Sequence, residues 1–204
     1  MRKLSVGLAS VSMLGLIAAS GALAQGMAHK YEVTVTNTMA SELIAPILTT
    51  GTDHDKAIFK DDYVTPEAEV QVLTGDPAKL AAAIGKDVTI AHGEDGPPGV
   101  LLAPGKSITF TVETDAKEIR LFAMVAPTEK PDNYLTATIA LEPGMAKDTM
   151  AKDTMAKDTM AKDKMMKDGM FSAVLHRFDI GHDEKTMATA PVAGEFGTVS
   201  VKKL

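Results

Sequence analysis

The sequence predicts an all-β protein, an antiparallel β-sandwich of about eight strands with one or two short helices in a loop and a low-complexity insertion. Three observations predict it. Several runs, among them Tyr31 to Thr38 and Lys106 to Glu113, alternate apolar with polar residues and are rich in β-branched side chains, the pattern of a half-buried strand. Pro, Gly, Asn and Asp fall between these runs at the spacing of sandwich turns. Folded helical patterns are short and confined to the stretch from Thr65 to Gly85.

In order, Tyr31 to Thr38 is the first strand. Glu42 to Thr50 is an apolar run broken by Pro46, which predicts an edge or bulged strand because proline cannot donate to a ladder. Gly51 to Asp62 is a polar loop. Thr65-Pro66 opens a helix with Val70 and Leu73 on one face. Asp76-Pro77 opens a second, with Asp as cap, Pro at the first helical position and Gly85 as the stop. Asp87 to His92 is a short strand, and Gly93 to Gly99 a loop. Pro104-Gly105 turns the chain into the next strand, whose Ile108, Phe110 and Val112 face one way. Ile119, Leu121, Ala123 and Val125 form the inward face of another. Leu135, Ala137, Ile139 and Leu141 form the inward face of the one after that. Phe171 to Leu175 and Thr198 to Val201 complete the set.

The first residues have the order of a secretory signal. Arg2 and Lys3 precede an apolar run from Leu4 to Ala19, and Ala22-Leu23-Ala24 is a small-x-small cleavage pattern. The expected organisation is a signal peptide over 1–24, a leader over 25–30 and the sandwich domain over 31–204, so the chain is expected in the periplasm or outside the cell. No transmembrane segment is expected after cleavage. Removing Arg2 and Lys3 takes the formal charge from -6 to -8, which disfavours nucleic acid and anionic membranes as partners. There is no cysteine, which excludes disulfides, thiolate zinc sites and thiol catalysis.

One segment breaks the pattern. Met145-Ala-Lys-Asp-Thr repeats from Met150 and Met155, then as Met160-Ala-Lys-Asp-Lys and Met165-Met-Lys-Asp-Gly. It reads as an insertion over 145–169. On a helix a five-residue step advances about 500°, about 140° past a full turn, so the methionines form no stripe. The thioethers are nevertheless soft donors of the kind monovalent copper takes. The segment is therefore either a low-complexity spacer or a copper-handling array.

No nucleophile elbow, metalloprotease helix or phosphate loop is present, and the histidines are scattered, so the chain is expected not to be an enzyme. Asp53-x-Asp55 starts like a calcium loop, but Ile58 stands at position six and Val64 at position twelve, so these acids read as solvated surface. The stronger candidate is Phe178-Asp-Ile-Gly-His-Asp183. It sets Asp179 and Asp183 four residues apart around a glycine, just after the Phe171 to Leu175 run. Asp-Gly pairs also suit ordinary turns. Loops at one end of a sandwich converge, and Asp132 lies in the turn Pro131-Asp132-Asn133-Tyr134. Three carboxylates there favour a divalent ion, and oxygen-only ligands favour calcium.

Four stretches together resemble the spondin domain, found in F-spondin, mindin and exported bacterial proteins. They are Ala45-Pro-Ile-Leu-Thr-Thr-Gly-Thr-Asp53, Leu101-Leu-Ala-Pro-Gly-Lys-Ser-Ile-Thr-Phe-Thr-Val112, Phe122-Ala-Met-Val-Ala-Pro-Thr128 reaching Asp132-Asn-Tyr134, and Phe178 to Asp183. The resemblance implies an eight-stranded sandwich with calcium held at one end by Asp132, Asp179 and Asp183. It also implies a non-enzymatic role in interaction or adhesion, with a protein or glycan partner at the cell envelope. Glu129-Lys130 stands as an insertion relative to that family, and Ile180 replaces its usual small residue. The pentapeptide array is similar to a separate bacterial repeat family.

Overall fold

The computed structural model describes residues 28–126, 132–142, 169–181 and 189–204. The signal and leader through residue 27, most of the pentapeptide array and Asp183 lie outside them. The strands are β1 (His29–Asn37), β2 (Leu43–Ile44), β3 (Ile47–Gly51), β4 (Phe59–Lys60), β5 (Tyr63–Val64), β6 (Val88–Ala91), β7 (Ser107–Thr114), β8 (Glu118–Ala126), β9 (Asn133–Ala140), β10 (Met170–Val174), β11 (His176–Asp179), β12 (Ala190–Val192) and β13 (Gly197–Lys203). The helices are α1 (Asp55–Ile58), α2 (Pro66–Thr74) and α3 (Ala78–Ile84).

The strands build an antiparallel sandwich. One sheet has the order β10-β13-β1-β7, and the other the order β12-β11-β9-β8-β3-β6, with β2 also paired to β8. Between them lies a core of Val33, Val35, Ile119, Leu121, Val125, Leu135, Ile139, Val199 and Val201 with their neighbours. The inward faces expected of β7, β8 and β9 are the faces found here. Ile108 and Phe110 are only half-buried, because β7 is the last strand of its sheet.

The helices form a third layer that the sequence did not announce. They cover the outer face of the wider sheet, where Leu48, Phe122, Tyr134 and Ile180 meet Ile58, Ala68, Val72, Leu80 and Ile84. β8 is therefore buried on both faces. Thr65 caps α2 by accepting from the Ala68 N–H, and Gly75 ends it in the left-handed conformation. The buried face of α2 is Ala68, Gln71 and Val72, with Val70 and Leu73 at its margins, a rotation from the expected stripe. α3 starts one residue later than expected, with Pro77 at the cap position and Asp76 just before it, where Asp76 Oδ1 accepts from the Ala78 N–H at 2.9 Å.

The break at Pro46 is a bulge and not an edge. The Ala45 N–H bonds to the Met124 carbonyl, and Leu48 pairs with Phe122, so Pro46 and Ile47 together face Ala123. Beyond the bulge β3 runs in the interior of the sheet, between β8 and β6. Gln71, fully buried, donates Nε2 to the Pro46 carbonyl at 3.3 Å and to the Phe122 carbonyl at 3.2 Å. The helix layer thus bonds to the carbonyl that the bulge releases.

The polar stretch from Gly51 to Asp62 is more ordered than a loop. It contains a 3-10 turn, α1 and β4, and Asp55 is not a solvated acid. It takes two hydrogen bonds from Arg120 of β8, at 2.9 and 2.6 Å. Arg120 also lies over the Phe59 ring at 5.3 Å. No helix among the described residues is long and apolar enough to cross a membrane.

Candidate functional site

The chain changes sheets at Leu175. β10 belongs to the narrow sheet and β11 to the wide one, so Phe171 to Leu175 does not run straight into the Asp-containing stretch. The buried Leu175 marks the crossing, and its N–H bonds to the Gly197 carbonyl. β11 then lies against β9, with Phe178 opposite Tyr134 and Asp179 opposite Asn133. The Tyr134 and Phe178 rings stack at 5.4 Å on the helix side, and Phe122 and Phe59 extend the cluster. These rings fix the register that brings the two acidic segments together.

Asp132 directly precedes β9 and Asp179 ends β11. The ladder continues one bond past the strands, from the Ile180 N–H to the Asp132 carbonyl at 2.9 Å. Ile180, the residue that departs from the spondin pattern, is fully buried in the helix-side core and anchors this end. Asp179 Oδ1 accepts from the Gly181 N–H at 2.6 Å, with Gly181 at φ 66°. That local turn is the ordinary role of an Asp-x-Gly sequence.

Strand alternation sends the Asp179 side chain off the sheet on the same face as Asn133. Asp132 is one residue earlier and outside the strand, yet its Oδ1 takes a 2.6 Å bond from Asn133 Nδ2. Its carboxylate therefore curls toward the Asp179 side at the sheet end. Asp132 is buried, 6% exposed.

A network that the sequence did not reveal continues from there. Arg177 Nε donates to Asn133 Oδ1 at 2.8 Å, and its Nη1 donates to Glu42 Oε2 at 2.7 Å. Its guanidinium lies over the Phe196 ring at 5.6 Å. Arg177 precedes Asp179 by two residues, and Asn133 follows Asp132 directly. The signal was thus present as polar residues at core-facing positions of two strands, but only the pairing of β9 with β11 relates them. Among the described residues Arg177 is thus bonded to Glu42 on one side and, through Asn133, linked to Asp132 on the other.

The structure thus brings Asp132 and Asp179 to the same end of adjacent strands, while Asp183 lies outside the described residues. Among the described residues no three His, Asp or Glu side chains form a group placed to hold a metal ion. The two aspartates supply hard oxygen donors, which fit calcium better than a transition metal. Neither the comparison with protein-family models nor that with curated proteins finds a match for this chain.

Proposed function

We propose that this chain is an exported, non-enzymatic, spondin-like β-sandwich that binds calcium at the end of the sheet formed by β9 and β11, and mediates interaction or adhesion at the cell envelope. The observation that supports the reading is the backbone adjacency of the Asp132 and Asp179 segments at the end of the β9–β11 ladder, with Asp183 four residues further along the chain. The Asp132 and Asp179 segments lie on adjacent strand ends, and a divalent cation held by the two carboxylates would balance their two negative charges. An ion taken up by Asp132 and Asp179 ties the start of β9 to the end of β11. Its partner would be a protein or glycan, reached through the loops at that end.

Calorimetric titration of the purified chain with calcium tests the reading. Calcium should bind and raise the melting temperature, because an ion that binds only the folded state at 100 times its Kd stabilises by about 2.7 kcal/mol. Replacing Asp179→Asn and Asp183→Asn together should abolish both effects. Absence of binding, or binding unchanged in that variant, refutes the calcium site.

A further inference from the structure

β7 forms one free edge of the narrow sheet. The Asn37 N–H donates to the Lys106 carbonyl at 3.0 Å. Bonded and non-bonded pairs alternate along an antiparallel ladder, so β1 takes the backbone groups of Ile108, Phe110 and Val112. The N–H and carbonyl groups of Ser107, Thr109, Thr111 and Glu113 then point outward, and among the described residues no backbone partner meets them.

The other edges are shorter or blunted. β6 has four residues, β10 five, and β12 three, including Pro191. β7 has eight residues, no proline, no bulge and a single charged side chain, Glu113. Long edges without such devices are templates for strand pairing. Beside this edge, Thr111 and Glu113 of β7 and Val88 and Thr89 of β6 line an open groove of about 450 Å³. Thr89 is the ladder partner of Thr49, whose buried hydroxyl has no hydrogen-bond partner among the described residues.

We infer that the occupant of this edge is a second copy of the chain, whose β7 pairs antiparallel with this one about a twofold axis at Phe110. The argument is self-complementarity. That register sets Phe110 against Phe110 of the second copy, Ile108 against Val112, Thr109 against Thr111 and Ser107 against Glu113. On the inner face the half-buried Ile108 and Phe110 and the buried Val112 meet their counterparts, and on the outer face hydroxyls meet. No two like charges are opposed, and the outward groups of all four odd-numbered residues are bonded. The outer face already carries such hydroxyl pairs one strand further in, Thr34 with Thr109 at 2.9 Å and Thr36 with Ser107 at 2.7 Å. The dimer continues these rows across eight strands.

Sedimentation of the purified chain over a concentration series tests the inference, and a monomer–dimer equilibrium is expected. Thr111→Pro removes one outward N–H and leaves the β1 ladder intact, since proline is accepted at such an edge position. It should weaken dimerisation at least tenfold with the monomer's melting unchanged. The register has its own readout. The chain has no cysteine, so Phe110→Cys should give a disulfide-linked dimer on oxidation, because opposed non-bonded pairs lie within disulfide reach. If that variant does not fold, Thr109→Lys with Thr111→Lys should abolish pairing, and Thr109→Lys with Thr111→Glu should restore it. A chain that stays monomeric at every concentration, or a dimer unaffected by Thr111→Pro, overturns the inference.

Discussion

Replacing Asp55 with alanine leaves Arg120 charged beneath the helix layer with no counter-ion. The two are joined by a bidentate contact, with the Arg120 side chain 5% exposed and that of Asp55 30% exposed. A pair open to solvent contributes about 0–1 kcal/mol. Breaking a fully buried one costs about 3–5 kcal/mol. This pair is buried on the arginine side and partly wet on the aspartate side, which places Asp55→Ala at about 2–4 kcal/mol. Part of the cost is the stranded guanidinium, so Arg120→Met in the Asp55→Ala background should recover most of it, the methionine packing against Phe59 and Tyr134. Urea unfolding followed by circular dichroism at neutral pH measures both variants against the unaltered chain. A domain of this size loses roughly 2–4 °C of melting temperature per kcal/mol, so the single variant should melt about 4–16 °C lower. A cost for Asp55→Ala below about 1 kcal/mol, or a double variant no more stable than the single, would refute a stranded charge at Arg120.

Gln71→Leu should cost about 1–2 kcal/mol by urea unfolding. It removes the donor to two carbonyls, with a small return because Gln71 Oε1 is itself buried without a partner. The tyrosines give a pH dependence. Burial pushes Tyr134 up to about 12, opposed by the hydrogen bond with Thr189 and the charge of Arg120. The neutral phenol therefore contributes stability that is whole below pH 10 and is lost as pH rises through 12, at up to about 1.4 kcal/mol per pH unit. Tyr134→Phe should flatten the decline in unfolding free energy between pH 10 and 12. Burial also raises Tyr31 and Tyr63, Tyr63 to about 12. Phenolate absorbance of the folded chain should therefore rise only above pH 10, and a tyrosine titrating at 10 or below would contradict the structure.

The sandwich was legible because its strands carry period-two patterns that depend on local residues alone. Ile119 to Val125 and Leu135 to Leu141 face the core as their alternation requires. The third layer was not legible. Arg120 occupies the position where alternation predicts a solvent face, and only the fold supplies Asp55, 65 residues away in sequence, to meet it. On α2 the buried polar Gln71 interrupts the apolar stripe and shifts its apparent centre toward Val70 and Leu73. The candidate site was half legible. β9 and β11 bring the Asp132 and Asp179 segments side by side, but the bonds of Arg177 to Asn133 and to Glu42 span 44 and 135 residues of sequence, distances that no local pattern covers.

The double burial of β8 has a thermodynamic consequence. Its odd-numbered residues belong to the core between the sheets, while on the other face Phe122 belongs to the core beneath the helices and Met124 and Ala126 pack with Ala45, so the two cores share a wall one strand thick. A strand cannot release one face while holding the other in register, because a slip of one residue exchanges the faces and would carry Arg120 between the sheets. The helix layer and the sandwich are therefore not separable units of folding. They should melt in one cooperative transition, so that a loss at the Asp55 contact also lowers the stability of the ladder that sets the Asp132 and Asp179 segments side by side.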